Sequence, residues 1–375
     1  MAHSLNLLVI SFILQFVKGI MAVNNNNLSS IDKILLARDL IDNYPASGLQ
    51  VIPYHQPEEL PIVVNCSLQI MSFEGIDDVS EQISFIGDFY FQWTDPFLKS
   101  PQYDNFPSLF SVDFNKIWYP QIALADDPID MFSIMAVGYK YPLIVETSTG
   151  RIQWFPSARF ASKCQIDLSK FPFDSQTCKF ELVSWFHNSS DLVLKAWTAN
   201  VSFASENSKT ASNVWLLEKV SIQKSSYFAN YSALAFIFHC RRKPTYYFFN
   251  ILIPMGLLSF LQMGGLLYPH GPERPNFFLV LLLTFWVIQQ VTSSIIPKTS
   301  NSCAIANLLS MQSVFAIVVT TQSIIGCKIY ERKKLKKGTK VGSTFDWLLA
   351  VHISDIVLFV ISLGINILPP IIIYS

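Results

Sequence analysis

Up to about Arg242 the sequence carries Lys, Arg, Asp and Glu throughout, and beyond it these residues become rare except in one short basic run. This step constrains the fold more than any other feature. The apolar segments that follow it, approximately 246–268, 276–296, 303–327 and 345–368, each reach the roughly 20 residues needed to cross a bilayer core. The densest basic run, Lys328 to Lys337, lies between the third and fourth segments, so the positive-inside bias makes the connection 328–344 a cytosolic loop. Composition agrees, with 51% hydrophobic and 14% charged residues, greasier than a soluble chain of this size. The formal net charge of +0 leaves no sustained basic face to neutralise phosphates, which argues against nucleic acid as a partner.

The polar half reads differently. Residues 1–22 form a short apolar leader ending in Ile20-Met21-Ala22, the pattern of a secretory signal peptide. Glycosylation acceptors of the form Asn-x-Ser/Thr at Asn27, Asn65, Asn188, Asn200 and Asn230 all precede the first apolar segment. Export of the amino terminus followed by four spans would bring the carboxyl terminus to the outside as well. Next, Ser29 to Asp32 opens a helical pattern with Ile34, Leu35, Ala37, Leu40 and Ile41 on one face. From Ile52 to Phe238 the pattern changes to short alternating runs such as Ser84 to Phe91, broken by Pro, Gly, Asn and Asp clusters. The expected architecture is therefore an extracellular all-β sandwich with a short N-terminal helix over 23–243, followed by a four-helix transmembrane domain over 244–375.

Cys164 and Cys178 enclose QIDLSKFPFDSQT. In an exported domain this spacing reads as a disulfide, with about 3 kcal/mol from loop closure in the chain-entropy model; spacing alone favours an ordinary staple in a β protein. Phe171-Pro172-Phe173-Asp174 within the loop, with Trp185 soon after, resembles the signature loop of the Cys-loop receptor family. Further landmarks of that family look to be present in order: Trp118-Tyr119-Pro120, Gly150 to Pro156, Arg242-Lys243-Pro244 and Ile296 to Ser300. Within it the sequence is most similar to nicotinic acetylcholine receptor subunits. The resemblance implies a plasma-membrane pentamer around a central pore, with four further subunits of the same or another kind, a small extracellular ligand, permeating inorganic ions, membrane lipid and no cofactor.

Read as a helix, the second apolar segment puts Asn276, Val280, Leu283, Val287, Gln290 and Ser294 on one stripe, polar at its ends and apolar in its middle. Repeated fivefold, Leu283 with Val280 and Val287 would form hydrophobic rings able to stop conduction by dewetting. Glu273 at the cytosolic end would form a ring of carboxylates that concentrates cations. Pro272 and Arg274 beside it resemble the anion-selective branch, which keeps an anion channel open as an alternative. In the fourth segment, Asp355 is an ionisable group within apolar sequence, a sign either of function or of a structural pair with a neighbouring helix.

For the ligand, the resemblance implies an aromatic box between subunits, each ring adding roughly 0.5 to 2 kcal/mol of cation–π attraction. Trp185 matches its central tryptophan, and Tyr227 and Tyr231 its capping hairpin, but Ala125 and Asp88 stand where aromatic residues are usual. An amine held by Trp185 and the Asp88 carboxylate, or a ligand that is not an amine, both fit. For transmission to the pore the resemblance implies Asp78, Phe171, Pro172, Phe173, Arg242, Pro297 and Lys298, with an Asp78–Arg242 ion pair. A non-conducting accessory subunit is a further alternative. An enzyme is not expected, because no span shows paired carboxylates or His and Cys clusters at metal-ligand spacing.

Overall fold

The computed structural model describes residues 30–45, 51–54, 56–99, 109–126, 134–135, 140–198, 201–205, 212–227, 230–295, 304–336 and 345–374. The expected leader, Asn27, Asn200, Pro297 and Lys298 lie outside the described residues. The chain opens with helix α1 (Ser30–Asp42). Of its apolar face, Leu40 and Ile41 are half-buried, whereas Ile34 and Leu35 are 66% and 58% exposed. Among the described side chains, the apolar face packs from Ala37 onward and stands open at Ile34 and Leu35. Tyr44 ties the helix down by donating to Asp95 at 2.6 Å and accepting from the backbone N–H of Trp118 at 3.2 Å.

Twelve strands follow among the described residues: β1 (Ile62–Asp77), β2 (Gln82–Thr94), β3 (Leu109–Val112), β4 (Ile122–Leu124), β5 (Leu143–Glu146), β6 (Arg151–Trp154), β7 (Ser157–Lys163), β8 (Ser175–Asn188), β9 (Leu192–Ala196), β10 (Ser202–Phe203), β11 (Trp215–Tyr227) and β12 (Tyr231–Arg242). They form two sheets. One runs β10-β1-β2-β6-β5-β3 with β7 and β9 attached, and the other runs β11-β12-β8-β4. Along β1 and β2 alternate side chains are buried, as a strand with one face on a core requires. The two inner faces meet in a stack of rings, with Phe85 of β2 5.2 Å from Phe180 of β8 and 5.1 Å from Phe238 of β12. Gly150 shows why one landmark takes glycine. Its φ is +69°, and a Cβ there would stand 2.4 Å from the Asp95 carbonyl oxygen, a position closed to other residues.

The apolar half is helical. A turn at Thr245–Tyr247 and a widened π turn at Phe248–Leu252 lead into α2 (Ile253–Leu266). The widened turn sits just before Pro254, whose ring would otherwise strike the carbonyl one turn back. Three helices follow: α3 (Glu273–Ile295), α4 (Ala304–Lys336) and α5 (Phe345–Tyr374). Thr245–Leu266, Glu273–Ser293 and Ile305–Arg332 are long and apolar enough to cross a membrane, and α5 adds the apolar stretch Leu349–Gly364. α4 runs on through much of the basic run expected as a loop, because its Lys, Arg and Glu residues are good helix formers with no breaker before Gly338. At Gly265 a Cβ would meet the Phe277 ring at 2.5 Å and that of Phe278 at 2.9 Å, so α2 and α3 approach as closely as glycine permits.

Candidate functional site

Arg242 ends β12 directly before the first span, and its side chain is fully buried. Its guanidinium donates to Asp78 at 2.5 and 3.0 Å and to Asp174 at 2.8 and 3.2 Å. It also lies over the rings of Trp215 at 4.1 Å, Phe171 at 4.8 Å and Tyr247 at 5.7 Å. Burial alone would lower its pKa, but the hydrogen bonds and charges of Asp78 and Asp174 outweigh that, and the net shift is upward. One side chain thereby joins the turn after β1, the Cys164–Cys178 loop and the start of the first span. Asp174 was missed as a partner, although its place beside Phe173 in the loop was a usable signal. In the same loop Phe171 and Pro172 are buried and Phe173 is 39% exposed. The disulfide between Cys164 and Cys178 is present, with Cα atoms 5.1 Å apart.

Trp185, Tyr231 and Ala125 all belong to the sheet β11-β12-β8-β4 or its margin. Trp185 is half-buried near the end of β8, Tyr231 pairs with Asn188 and with Tyr227 across the β11–β12 hairpin, and the Ala125 N–H donates to the Glu181 carbonyl of β8. The Tyr227 side chain lies outside what is described. Asp88 lies instead on β2 of the other sheet, opposite Gln69 and Ser157. Burial raises its carboxyl pKa against a hydrogen bond from Ser157, and its Oδ1 is buried without a partner among the described residues. Beside it Tyr90 donates to Gln69 at 2.7 Å and stands 5.2 Å from the Phe155 ring. One copy of the chain therefore does not bring Trp185 and Asp88 onto one wall.

On α3, Glu273, Asn276, Val280, Leu283, Val287 and Gln290 are all exposed, with Leu283 at 60% and Val287 at 61%. Phe278, Leu281 and Phe285 of the same helix are buried against its neighbours. At the inner end Arg274 is 1% exposed and bonds Asp355 of α5 at 2.8 and 3.1 Å. His270 and His352 bring ring nitrogens within 4.8 Å of an Asp355 oxygen and of each other. The Arg274 guanidinium already bonds both His270 and Asp355, so the place a metal cation would take is filled. Of the acceptor asparagines, Asn188 and Asn230 are exposed, while Asn65 lies in β1 between β2 and β9.

The profile of the neurotransmitter-gated ion-channel ligand binding domain matches residues 34–244, more than half of the chain. The chain belongs to the neurotransmitter-gated ion-channel family. This is the Cys-loop family of the sequence analysis, and its members are ligand-gated channel subunits rather than enzymes. The chain is 26% identical over 323 residues to acetylcholine receptor subunit beta-type unc-29 of Caenorhabditis elegans, covering 85% of this chain and 63% of the relative. Against the beta-type subunit lev-1 of the same organism the figures are 27% over 321 residues, 84% and 61%. Against the alpha-type subunit acr-16 they are 25% over 306 residues, 80% and 58%. The chain thus spans about three fifths of the length of the curated relatives it matches. Within this family frame the Arg242 cluster lies at the junction between the ligand binding domain and the first span.

Proposed function

We propose that the chain is one subunit of a pentameric channel that opens on an extracellular ligand, passes cations, and closes at hydrophobic rings of Leu283 with Val280 and Val287. The observation that carries this reading is the exposed stripe of α3, where Glu273, Asn276, Val280, Leu283, Val287 and Gln290 all point away from the chain's own bundle. A stripe of Val and Leu left uncovered in one copy suits a dewetting gate between copies. Selectivity rests on Glu273. Arg274, the residue that favours the anion alternative, has its charge engaged in the bundle with Asp355, whereas Glu273 is exposed at the helix start.

The ligand reading follows the two sheets. Trp185 and Tyr231 of one copy would face Asp88 of the next, giving an amine two rings and a carboxylate. The Asp88 oxygen left without a partner among the described residues, on a carboxylate whose ionised form burial penalises, supports a group that a cation would stabilise.

Because no agonist is in hand, the test uses Leu283→Thr, which wets the gate and opens the pore without ligand. Current from cells expressing this variant is recorded while external sodium chloride is diluted. A reversal potential that moves negative fits the cation channel, and a positive shift means anions. Surface expression without current would make the chain a non-conducting accessory subunit.

A further inference from the structure

Arg274 lies in the first turn of α3, directly after Glu273. The amino end of a helix favours anions and disfavours cations, so Glu273 suits the position and Arg274 does not. An extended side chain there would reach water beside Glu273, yet Arg274 is 1% exposed and folds back into the bundle. Asp355 of α5 holds it with both carboxylate oxygens, at 2.8 and 3.1 Å. The guanidinium also donates to the Leu266 carbonyl at 3.3 Å and to His270 in the α2–α3 turn. Because a guanidinium only donates, the ring nitrogen of His270 nearest to it accepts, and the other turns its proton to Asp355 at 3.0 Å. Burial and the Arg274 charge outweigh Asp355 and lower the His270 pKa, so this ring contributes hydrogen bonds and no charge. Gln322 of α4 donates to Asp355 at 2.6 Å and steadies the carboxylate from a third helix. Among the described residues, Asp355 is therefore the negative charge that meets Arg274.

We infer that Asp355, on a helix other than the one proposed to line the pore, determines ion selectivity by keeping the Arg274 charge out of the cytosolic mouth. The inference rests on the cation reading of Glu273. Without the carboxylate, the Arg274 charge would be buried with no counter-charge, which costs far more than placing it in water. The exposed start of α3, where Glu273 stands, offers that water. There each guanidinium would neutralise the carboxylate beside it, and the fivefold ring would lose the field that concentrates cations. Asp355 touches no permeating ion and acts through Arg274, so it is a positioning residue. A merely structural pair would change how many channels reach the surface and leave unchanged what each one passes.

The test records reversal potentials in the Leu283→Thr background while external sodium chloride is diluted. In this parent a negative shift supports the cation reading; a positive shift or no current removes that reading and this inference with it, before any Asp355 variant is recorded. Asp355→Asn keeps the shape and drops the charge, and it is expected to lower the sodium-to-chloride permeability ratio by about tenfold, shrinking the negative shift. Adding Arg274→Gln to it is expected to restore the parent's ratio, because the displaced charge is gone. Asp355→Glu, which keeps the charge, is expected to retain the ratio. An Asp355→Asn channel with the parent's ratio overturns the inference, as does a double variant that stays as unselective as the single one. If Asp355→Asn does not reach the surface, the double variant decides alone, since its neutral pair can still hydrogen-bond. It is then expected to match the parent in ratio and in single-channel cation conductance. A conductance several-fold above the parent's would place the Arg274 charge at the pore of the unaltered chain and overturn the inference.

Discussion

Arg242 satisfies the buried carboxylate of Asp174 and the partly buried one of Asp78 at once, so its loss acts through what it leaves behind. With Asp78 and Asp174 facing each other uncompensated, Arg242→Ala should cost about 3 to 5 kcal/mol, the usual penalty for breaking a buried pair. Lysine keeps the charge but offers no planar fork for two carboxylates. In the Leu283→Thr background, Arg242→Ala should abolish surface expression or current and Arg242→Lys should retain part of it; normal current from the alanine variant would refute the role assigned to the cluster. Asp88 makes the opposite prediction for stability. Its folded-state pKa is raised, chiefly by burial, so its ionised form carries a penalty that is present above the raised pKa and absent below the ordinary carboxylate value. Asp88→Asn should therefore raise the melting temperature at neutral pH, and the gain should fade as pH falls through the carboxylate range. The same variant should lower the potency of a cationic agonist by roughly tenfold or more, as removal of a charged hydrogen-bond partner does. A variant that neither melts higher nor loses potency would remove Asp88 from the ligand reading.

At the scale of elements, the strands were legible because a period of two in the sequence, as in Ser84 to Phe91, is the period of burial on a pleated surface. The long apolar helices were legible because length and apolarity alone mark them, and the helix ends fall within a few residues of the apolar segments at most positions. The far end of α4 differs most, because charged helix formers prolong the helix past its apolar stretch, and hydropathy reports only that stretch. The widened turn before Pro254 had a signal in the proline, though not in which turn would yield. α1 shows the reverse case: its apolar face follows the helical pattern, yet Ile34 and Leu35 stay exposed among the described residues.

For the whole molecule the decisive feature is the division of the candidate ligand residues between two sheets. Trp185 and Tyr231 lie on one and Asp88 on the other, so the proposed site needs two copies. Cysteines placed singly at Tyr231 and at Asp88, in chains carrying different tags, should give disulfide-linked dimers under mild oxidation only when the two chains are co-expressed. Linked dimers of mixed tag would support the shared site. Their absence, with both chains at the surface in one assembly, would put the ligand elsewhere.

The family was readable from local order: the loop between Cys164 and Cys178, the landmarks around it and the succession of sandwich and apolar helices are all properties of short windows of sequence. Even the Asp78–Arg242 pair followed from matched landmarks. Tertiary structure alone decided the remaining partners. It brought Asp174 to Arg242 across 68 positions, Asp355 to Arg274 across 81, and Gln322 to Asp355 across 33. The reason is physical: periodicity tells which face of an element is buried, but a charged group accepts any opposite charge that packing delivers, and only the assembled layers determine which one arrives.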